Sequence, residues 1–489
     1  MENTIFDLRS AIEFLKDVPG QLIETDRRVN PVAEIAGIYR HVGARGTVKR
    51  PTGIGPMMLF NNVEGYPDFR VAIGILSNRA RVGRLLCTPP EKLGQFYVDC
   101  LDKPVEPVVV PRENAPCREE VRLAADPDFD LRKLIPGLVN TELDAGPYIT
   151  MGLCYARDPD TRKGNATIHR MCIQGRDEMT IGFGGYRHIG VFKDKALARG
   201  ETLPVSVSIG VDPAIYLASC FEPPTTPLGF DELSIAGAMR NKAVELTRCL
   251  TIDEYCVANA EIVIEGEIID RQVWEDQHSH TGRAMPEFAG YIGVAKKLPV
   301  LKVRAVTFRR NPIMQICIGS SEEHVNMAGI PAEAAILGFL DRAMPGKALN
   351  VYCPPSGGGK LSAVIQFRKT EATDEGRQRQ AALGALAACP ELKNVFLVDE
   401  DVDLFDPHDV LWAMTTRFRP DKDLIVISGV RCHGGDPSQQ PFYDATMSAP
   451  GLAHKSIYDC TVPFRAKEEF LRPDFMEVDV SEFFPGGGI

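Results

Sequence analysis

"GNATIHRMCIQGRDEMTIGFGGYRHIGVF", residues 164–192, decides how the middle of this chain is read. The runs ATIHRMCIQG and EMTIGFG are short, β-branched and closed by Gly, which predicts brief strands rather than a helix. Asn165, His169, Arg170, Arg187 and His188 fall at or near the ends of those strands. Side chains alternate across a strand, so Asn165 and Arg170 point to opposite faces unless the strand ends or bulges between them. The run GFGGYRHIG adds backbone free enough to approach a ligand closely. Two readings stand on spacing alone: the polar face of an ordinary sheet, or the floor of a site for an anion and a metal.

The same texture extends on both sides. YITMGLCYARDP, LPVSVSIG, AEIVIEGEI and VLKVRAVTFRR are further short strands, interrupted by predicted helices near 191–199 and 231–245. Residues 125–327 therefore read as a many-stranded barrel or sandwich. Residues 1–124 begin with apolar positions at helical spacing (Ile5, Leu8, Ile12, Leu15) and continue as an α/β unit. From 328 to 489 helices and strands alternate, which predicts a parallel α/β domain ending in a loose tail, SEFFPGGGI.

Composition narrows the function. With 66 acidic against 55 basic side chains the net charge is −11, and the sequence has no long basic run, so nucleic acid is a poor partner. No stretch is long and apolar enough to span a membrane. The start, MENTIFDLRSAIEFLKDV, lacks the basic and apolar regions of a signal peptide. Thirteen Cys, an odd number without a CxxC pair, read as reduced thiols in a cytoplasm. Small-molecule chemistry is the expectation.

An Asn oxygen, an imidazole and a carboxylate would make a hard site suited to Mn²⁺ or Mg²⁺ rather than Zn²⁺. For His188 the carboxylate candidates are Glu222, Asp231 and Glu232; Glu232 opens a predicted helix, which equally suits a plain N-terminal acid. Glu287, between Met285 and Phe288, is a carboxyl in apolar company and so a candidate proton donor, or else a solvated turn acid. His278, His280 and Arg283 precede it. Glu322, Glu323 and His324 precede a helix, and Lys360 follows three Gly without forming a Walker A loop. VDEDVDLFD would bind a cation or be a solvated loop. No G-x-S-x-G, H-E-x-x-H or strand-borne G-x-G-x-x-G is present, which leaves hydrolase and dinucleotide readings without support.

Over NATIHR, GGYRHIG, DELSIAGAMR, AEIVIEGEI, MPEFAGY, SEEHVNMAGIP and LVDEDVDLFDPHDVLWAMTTR the sequence resembles the UbiD family of reversible decarboxylases, which use prenylated flavin mononucleotide. CFEPPTTPLG, HTGRAMPEF, PPSGGGKL and DEGRQRQAAL are similar to its protocatechuate and furandicarboxylate decarboxylase branch. The resemblance implies an α/β (α+β) fold with a central split β-barrel that binds the flavin and a C-terminal oligomerisation domain. It implies Asn165, His188 and Glu232 as ligands of a Mn²⁺-type ion, with K⁺ nearby. Cofactor contacts are implied for Ala166, Thr167, Ile168, His169, Arg170, Arg187 and Lys360 as well. Arg170 and Glu287 match catalytic positions, and His324 and Lys360 fall where substrate sits.

One departure matters: ferulate-type members carry a second glutamate where this chain has Gly282, so either His280 or His324 would replace it or the relay would be shorter. The implied reaction is loss of CO₂ from an aromatic or heteroaromatic acid through a covalent bond to the prenylated flavin, with Glu287 as proton donor. A flavin prenyltransferase would supply the cofactor, and the chain would be a homodimer or larger. A diacid substrate would call on Arg283, Arg309 or Arg310. A non-catalytic flavin-binding partner and a split-barrel flavin reductase are the alternatives.

Overall fold

A computed structural model describes residues 5–49, 52–183, 187–439 and 451–478. Near the N-terminus, Asp7 caps the helix Leu8–Lys16 by accepting the Ser10 N–H at 2.7 Å. That helix buries Leu8, Ala11, Ile12 and Leu15, the stripe its periodicity predicted. It belongs to a unit whose four-stranded sheet runs Leu22–Thr25, Met57–Phe60, Arg70–Ile73 and Ile313–Ile316. The last of these strands comes from far along the chain and ties the first unit to the second.

The central sheet has nine strands. Its spine is the antiparallel pair Ile262–Trp274 and Lys297–Phe308, whose register shifts at Glu265/Gly266 and again between Ile269 and Gln272. Such irregularities bend and twist a strand, and the sheet curls into a half-barrel instead of lying flat. Leu203–Ile209, Leu153–Arg157 and Gly164–Ile168 extend it on one side; Glu178–Ile181, Met171–Ile173 and Tyr148–Ile149 extend it on the other. The helix His188–Ala198 buries Ile189, Phe192 and Ala196 in the same core as the strand residues Ile264, Val205 and Val303.

The C-terminal unit follows the helix Glu322–Ala343. Glu333 of that helix pairs with Arg79 at 2.7 Å, joining this unit to the N-terminal one. Its sheet runs Ala348–Tyr352, Ser362–Phe367, Asn394–Val398, Leu452–Asp459 and Leu424–Arg431. The expected all-parallel order needs correcting, because both edge pairings are antiparallel and only the inner two are parallel. The loop between the first two strands is too short for a parallel crossover. The strand Leu452–Asp459 went unpredicted and takes the place beside Asn394–Val398. The tail SEFFPGGGI lies outside the described residues.

Among the described residues no helix is long and apolar enough to cross a membrane.

Candidate active site

The strand Gly164–Ile168 stops before His169 and Arg170, which lie in the connection to Met171–Ile173. That end removes the alternation conflict, and Arg170 reaches a cavity of about 180 Å³. Thr167, Ile168, Arg187, Glu287, His324 and Lys360 also line it. Arg170 donates to the Glu287 carboxylate from one guanidinium nitrogen and to Glu275 Oε1 from the other, at 3.2 Å. The two carboxylates hold the guanidinium charged, its pKa raised against the cost of burial. Glu287 thus sits in charged company as well as beside the buried Met285 and Phe288.

Glu275 is a second carboxylate on Arg170. It follows the strand Ile262–Trp274, and its side chain is fully buried. Besides Arg170 it accepts the Tyr148 hydroxyl at 2.8 Å and the Lys296 N–H at 3.0 Å. A buried carboxylate needs such partners. Gly282, where a second glutamate was sought, is exposed on a turn with φ +68°. His280 is exposed too, and His278 bonds the Gln174 carbonyl at 2.7 Å. Neither takes the acid's place.

A separate polar knot lies under the strand. Asn165 Nδ2 is 2.8 and 2.9 Å from the two Glu232 oxygens and 3.1 Å from His188 Nδ1. All three residues are buried, and Asn165 Oδ1 has no hydrogen-bond partner. The Ala166 N–H donates to Glu232 at 3.0 Å. Burial lifts the Glu232 carboxyl to about 8, and burial with the adjacent Arg187 lowers His188. The Asn165 amide, the His188 imidazole and the Glu232 carboxylate converge, and turning the amide over would aim its orphaned oxygen at the other two, a donor set that fits a hard divalent cation. Among the described residues no group of three His, Cys, Asp or Glu is placed to hold a metal, so this set depends on the Asn165 amide. Gly184, Gly185 and Tyr186, which supplied the predicted free backbone, lie outside the described residues. His169 stands apart: its Nδ1 meets the Gly182 carbonyl at 3.1 Å and its ring lies edge-on to Phe183. Burial pushes it down to about 3, a neutral imidazole.

The far end of the cavity is charged but balanced. Lys360 Nζ lies 2.7 Å from Glu391 and 3.3 Å from Glu222, and Glu222 pairs with Arg187 at 2.6 Å. Burial opposes the Glu391 charge, but the cations Lys360 and Arg187 outweigh it and hold that carboxyl below its usual range. His433 lies 3.6 Å from Glu391 and edge-on to Phe288, which stacks on His324. Burial takes His324 to about 3 and His433 to about 4, so both rings are neutral near pH 7. The Nδ1 of His324 has no partner.

The remaining candidates serve the fold. Asp231 accepts the Tyr155 hydroxyl at 3.2 Å, and Glu323 accepts the N–H groups of Gly74 and Leu76. Glu322 is buried at the start of its helix, near the Gly46 N–H and with Arg45 4.0 Å away. In VDEDVDLFD the cation is internal, since Asp399 and Asp401 hold Arg417 at 3.0 and 2.6 Å. Arg309 pairs with Asp7 and Glu261, while Arg283 and Arg310 are exposed. None of these three arginines lines the cavity. Glu275, Glu391 and His433 escaped the sequence reading because each stands outside any recognisable spacing.

The chain matches the 3-octaprenyl-4-hydroxybenzoate carboxy-lyase family in three consecutive parts: the N-terminal domain over 14–101, the Rift-related domain over 108–322 and the C-terminal domain over 325–460. The chain belongs to the UbiD family. It is 49% identical over 477 residues to gallate decarboxylase of Lactiplantibacillus plantarum, covering 97% of both chains. It is similar to the apo structure of a 3,4-dihydroxybenzoic acid decarboxylase from Enterobacter cloacae, with 51% identity, a TM-score of 0.93, and 98% and 99% of the two chains covered. An evolved dimeric form of the UbiD-class enzyme HmfF from Pelotomaculum thermopropionicum, in complex with prFMN, matches at 30% identity and a TM-score of 0.83, over 98% and 100% of the chains.

If Glu275 sustains the Arg170–Glu287 pair, Glu275→Gln will lower kcat by about a hundredfold or more while bound flavin stays at the wild-type level. A variant at full rate would contradict that role.

Proposed function

We propose that this UbiD-family enzyme removes the carboxylate of a benzoate bearing adjacent hydroxyl groups, such as 3,4-dihydroxybenzoate or gallate. It is a carboxy-lyase for aromatic acids, and prenylated FMN is its cofactor. The observation that carries the finer reading is the end of the cavity: Lys360 held between Glu222 and Glu391, beside the unpartnered Nδ1 of His324. Ring hydroxyls would donate to the carboxylates and to the neutral imidazole. The Lys360 ammonium would face the phenolic oxygen on which charge grows. A second carboxylate at that end would meet two acids and would find no free arginine, which disfavours furan diacids.

The other end does the chemistry. When bound, the prenylated flavin supplies the electron sink for the pair left by the departing CO₂. Asn165, His188 and Glu232 would hold a divalent ion, Mn²⁺ or Mg²⁺, for the cofactor phosphate, with K⁺ nearby; Thr167, Ile168 and Arg187 would border the flavin. Arg170 would orient Glu287, which would take up a proton from solvent and pass it to the ring carbon that CO₂ vacates. Glu275 and the Tyr148 hydroxyl fix Arg170 from behind. In high CO₂ the same groups would run the reaction backwards, Glu287 taking the proton. A flavin prenyltransferase, a homo-oligomeric state and a cytoplasmic setting complete the proposal; the thirteen free thiols support a reducing compartment. The reading as a non-catalytic partner rested on the missing second acid, a gap that Glu275, 3.2 Å from Arg170, would fill.

The test is a panel of aromatic acids given to enzyme co-expressed with a flavin prenyltransferase. Dihydroxy- and trihydroxybenzoate should exceed furan-2,5-dicarboxylate in kcat/KM by about a hundredfold or more, and preference for the diacid would overturn the reading. His188→Ala should lose metal, by elemental analysis, and flavin absorbance together. Retention of both would remove His188 from the ion's ligands.

A further inference from the structure

Behind the charged end of the catalytic cavity lies a second, smaller one of about 40 Å³. Cys220, Glu222, Ala328 and Lys360 line both. These four side chains therefore form the partition between the two spaces. Beyond them the wall is apolar apart from Glu391, which Lys360 neutralises: Pro331, Ala332 and Ala335 of the helix Glu322–Ala343 line it with Ala388 and Pro390. Pro223 is exposed, and Ala332, Ala335 and Pro390 are half-buried. The smaller space thus abuts the catalytic cavity across a wall one side chain thick, and its outer end is lined by partly exposed residues; a route between the two needs these side chains to move aside.

We propose that this passage carries CO₂ away from the active site, and towards it when the reaction is reversed. Size comes first. The passage has room for more than one water-sized guest, which needs roughly 10–15 Å³, yet it is far smaller than the 180 Å³ cavity that must admit an aromatic ring. Carbon dioxide is linear, uncharged and one atom wide. Chemistry comes second. A guest without charge or hydrogen-bond donors loses nothing against Ala and Pro, whereas bicarbonate or a benzoate would be stripped of water there. The polar groups at the inner end are already satisfied, with Lys360 2.7 Å from Glu391 and Glu222 2.6 Å from Arg187.

The reaction gives such an exit a task. When the bond between ring carbon and carboxylate breaks, its electron pair stays with the ring side and CO₂ leaves neutral. Until Glu287 delivers its proton to that carbon, CO₂ that lingers recombines. A separate narrow exit removes it without opening the larger cavity to water. The inference needs the carboxy-lyase activity but not the polyhydroxylated substrate, because any acid the enzyme accepts will report on it.

The experiment uses holoenzyme carrying Ala332→Leu or Ala335→Leu. Leu is almost as good a helix former as Ala, and both positions are half-buried, so folding is preserved; melting temperature and flavin absorbance check this. Initial rates of carboxylation against dissolved CO₂ should show its KM raised about threefold or more, with the KM for the aromatic substrate unchanged. Crystals of the wild type pressurised with xenon should hold xenon in the passage, and Ala335→Leu crystals should not. Unchanged KM for CO₂ in folded, loaded variants would overturn the proposal. So would a KM for the aromatic substrate that rises in step, which would make the passage the ring's route, or a passage that takes up no xenon.

Discussion

The pairing of Arg170 with two carboxylates is the constraint on which the rest of the site depends. Glu275 has no exposed side-chain surface, and a carboxylate so placed is tolerable only while its partners stay in position. One partner is the guanidinium; the others are the Tyr148 hydroxyl and the Lys296 N–H. These groups come from four separate stretches of the half-barrel, so the sheet must curl correctly before the pair can form. In return, Glu287, a third exposed and on a short hairpin, is held at the cavity by a charge it cannot leave cheaply. Its neighbour Phe288 carries the link onwards to His324 and His433. Glu287 and the two imidazoles are thereby fixed to one another.

Charge is arranged locally and not by the chain's overall balance of −11. Arg170, Arg187 and Lys360 stand opposite Glu222, Glu275, Glu287 and Glu391, and every one of these groups has an opposite charge within ion-pair distance. Inside a cavity shielded from water such pairs are stronger than on the surface. An anionic aromatic acid can be positioned there without one large attractive field. The two imidazoles add acceptors rather than charge, because burial keeps them neutral.

Much of this was legible in the residues. The stripe of Leu8, Ile12 and Leu15 predicted the first helix, and β-branched runs closed by Gly predicted the strands of the half-barrel. Residue types left Glu222, Asp231 and Glu232 open as the partner of His188, and the family resemblance singled out Asn165, His188 and Glu232, which lie together in the fold. The losses have physical causes. Edge strands that pair antiparallel carry no different local pattern from parallel ones, so the C-terminal sheet was assigned the wrong mixture. Glu275 was missed because a register shift and a long excursion separate it from Glu287, and only the folded hairpin brings both to Arg170. Glu391 and His433 lie on loops of the C-terminal unit, where no periodicity marks a side chain that faces a neighbouring domain.

The central claim is that Glu287, aimed by Arg170, returns the proton to the carbon that loses CO₂. It is tested most directly by a rapid-quench single turnover of Glu287→Gln holoenzyme with carboxyl-labelled 3,4-dihydroxybenzoate, counting CO₂ and free phenol separately. The account predicts up to one CO₂ released per site with no phenol set free. Sustained release of CO₂ and phenol together at the wild-type rate would contradict it.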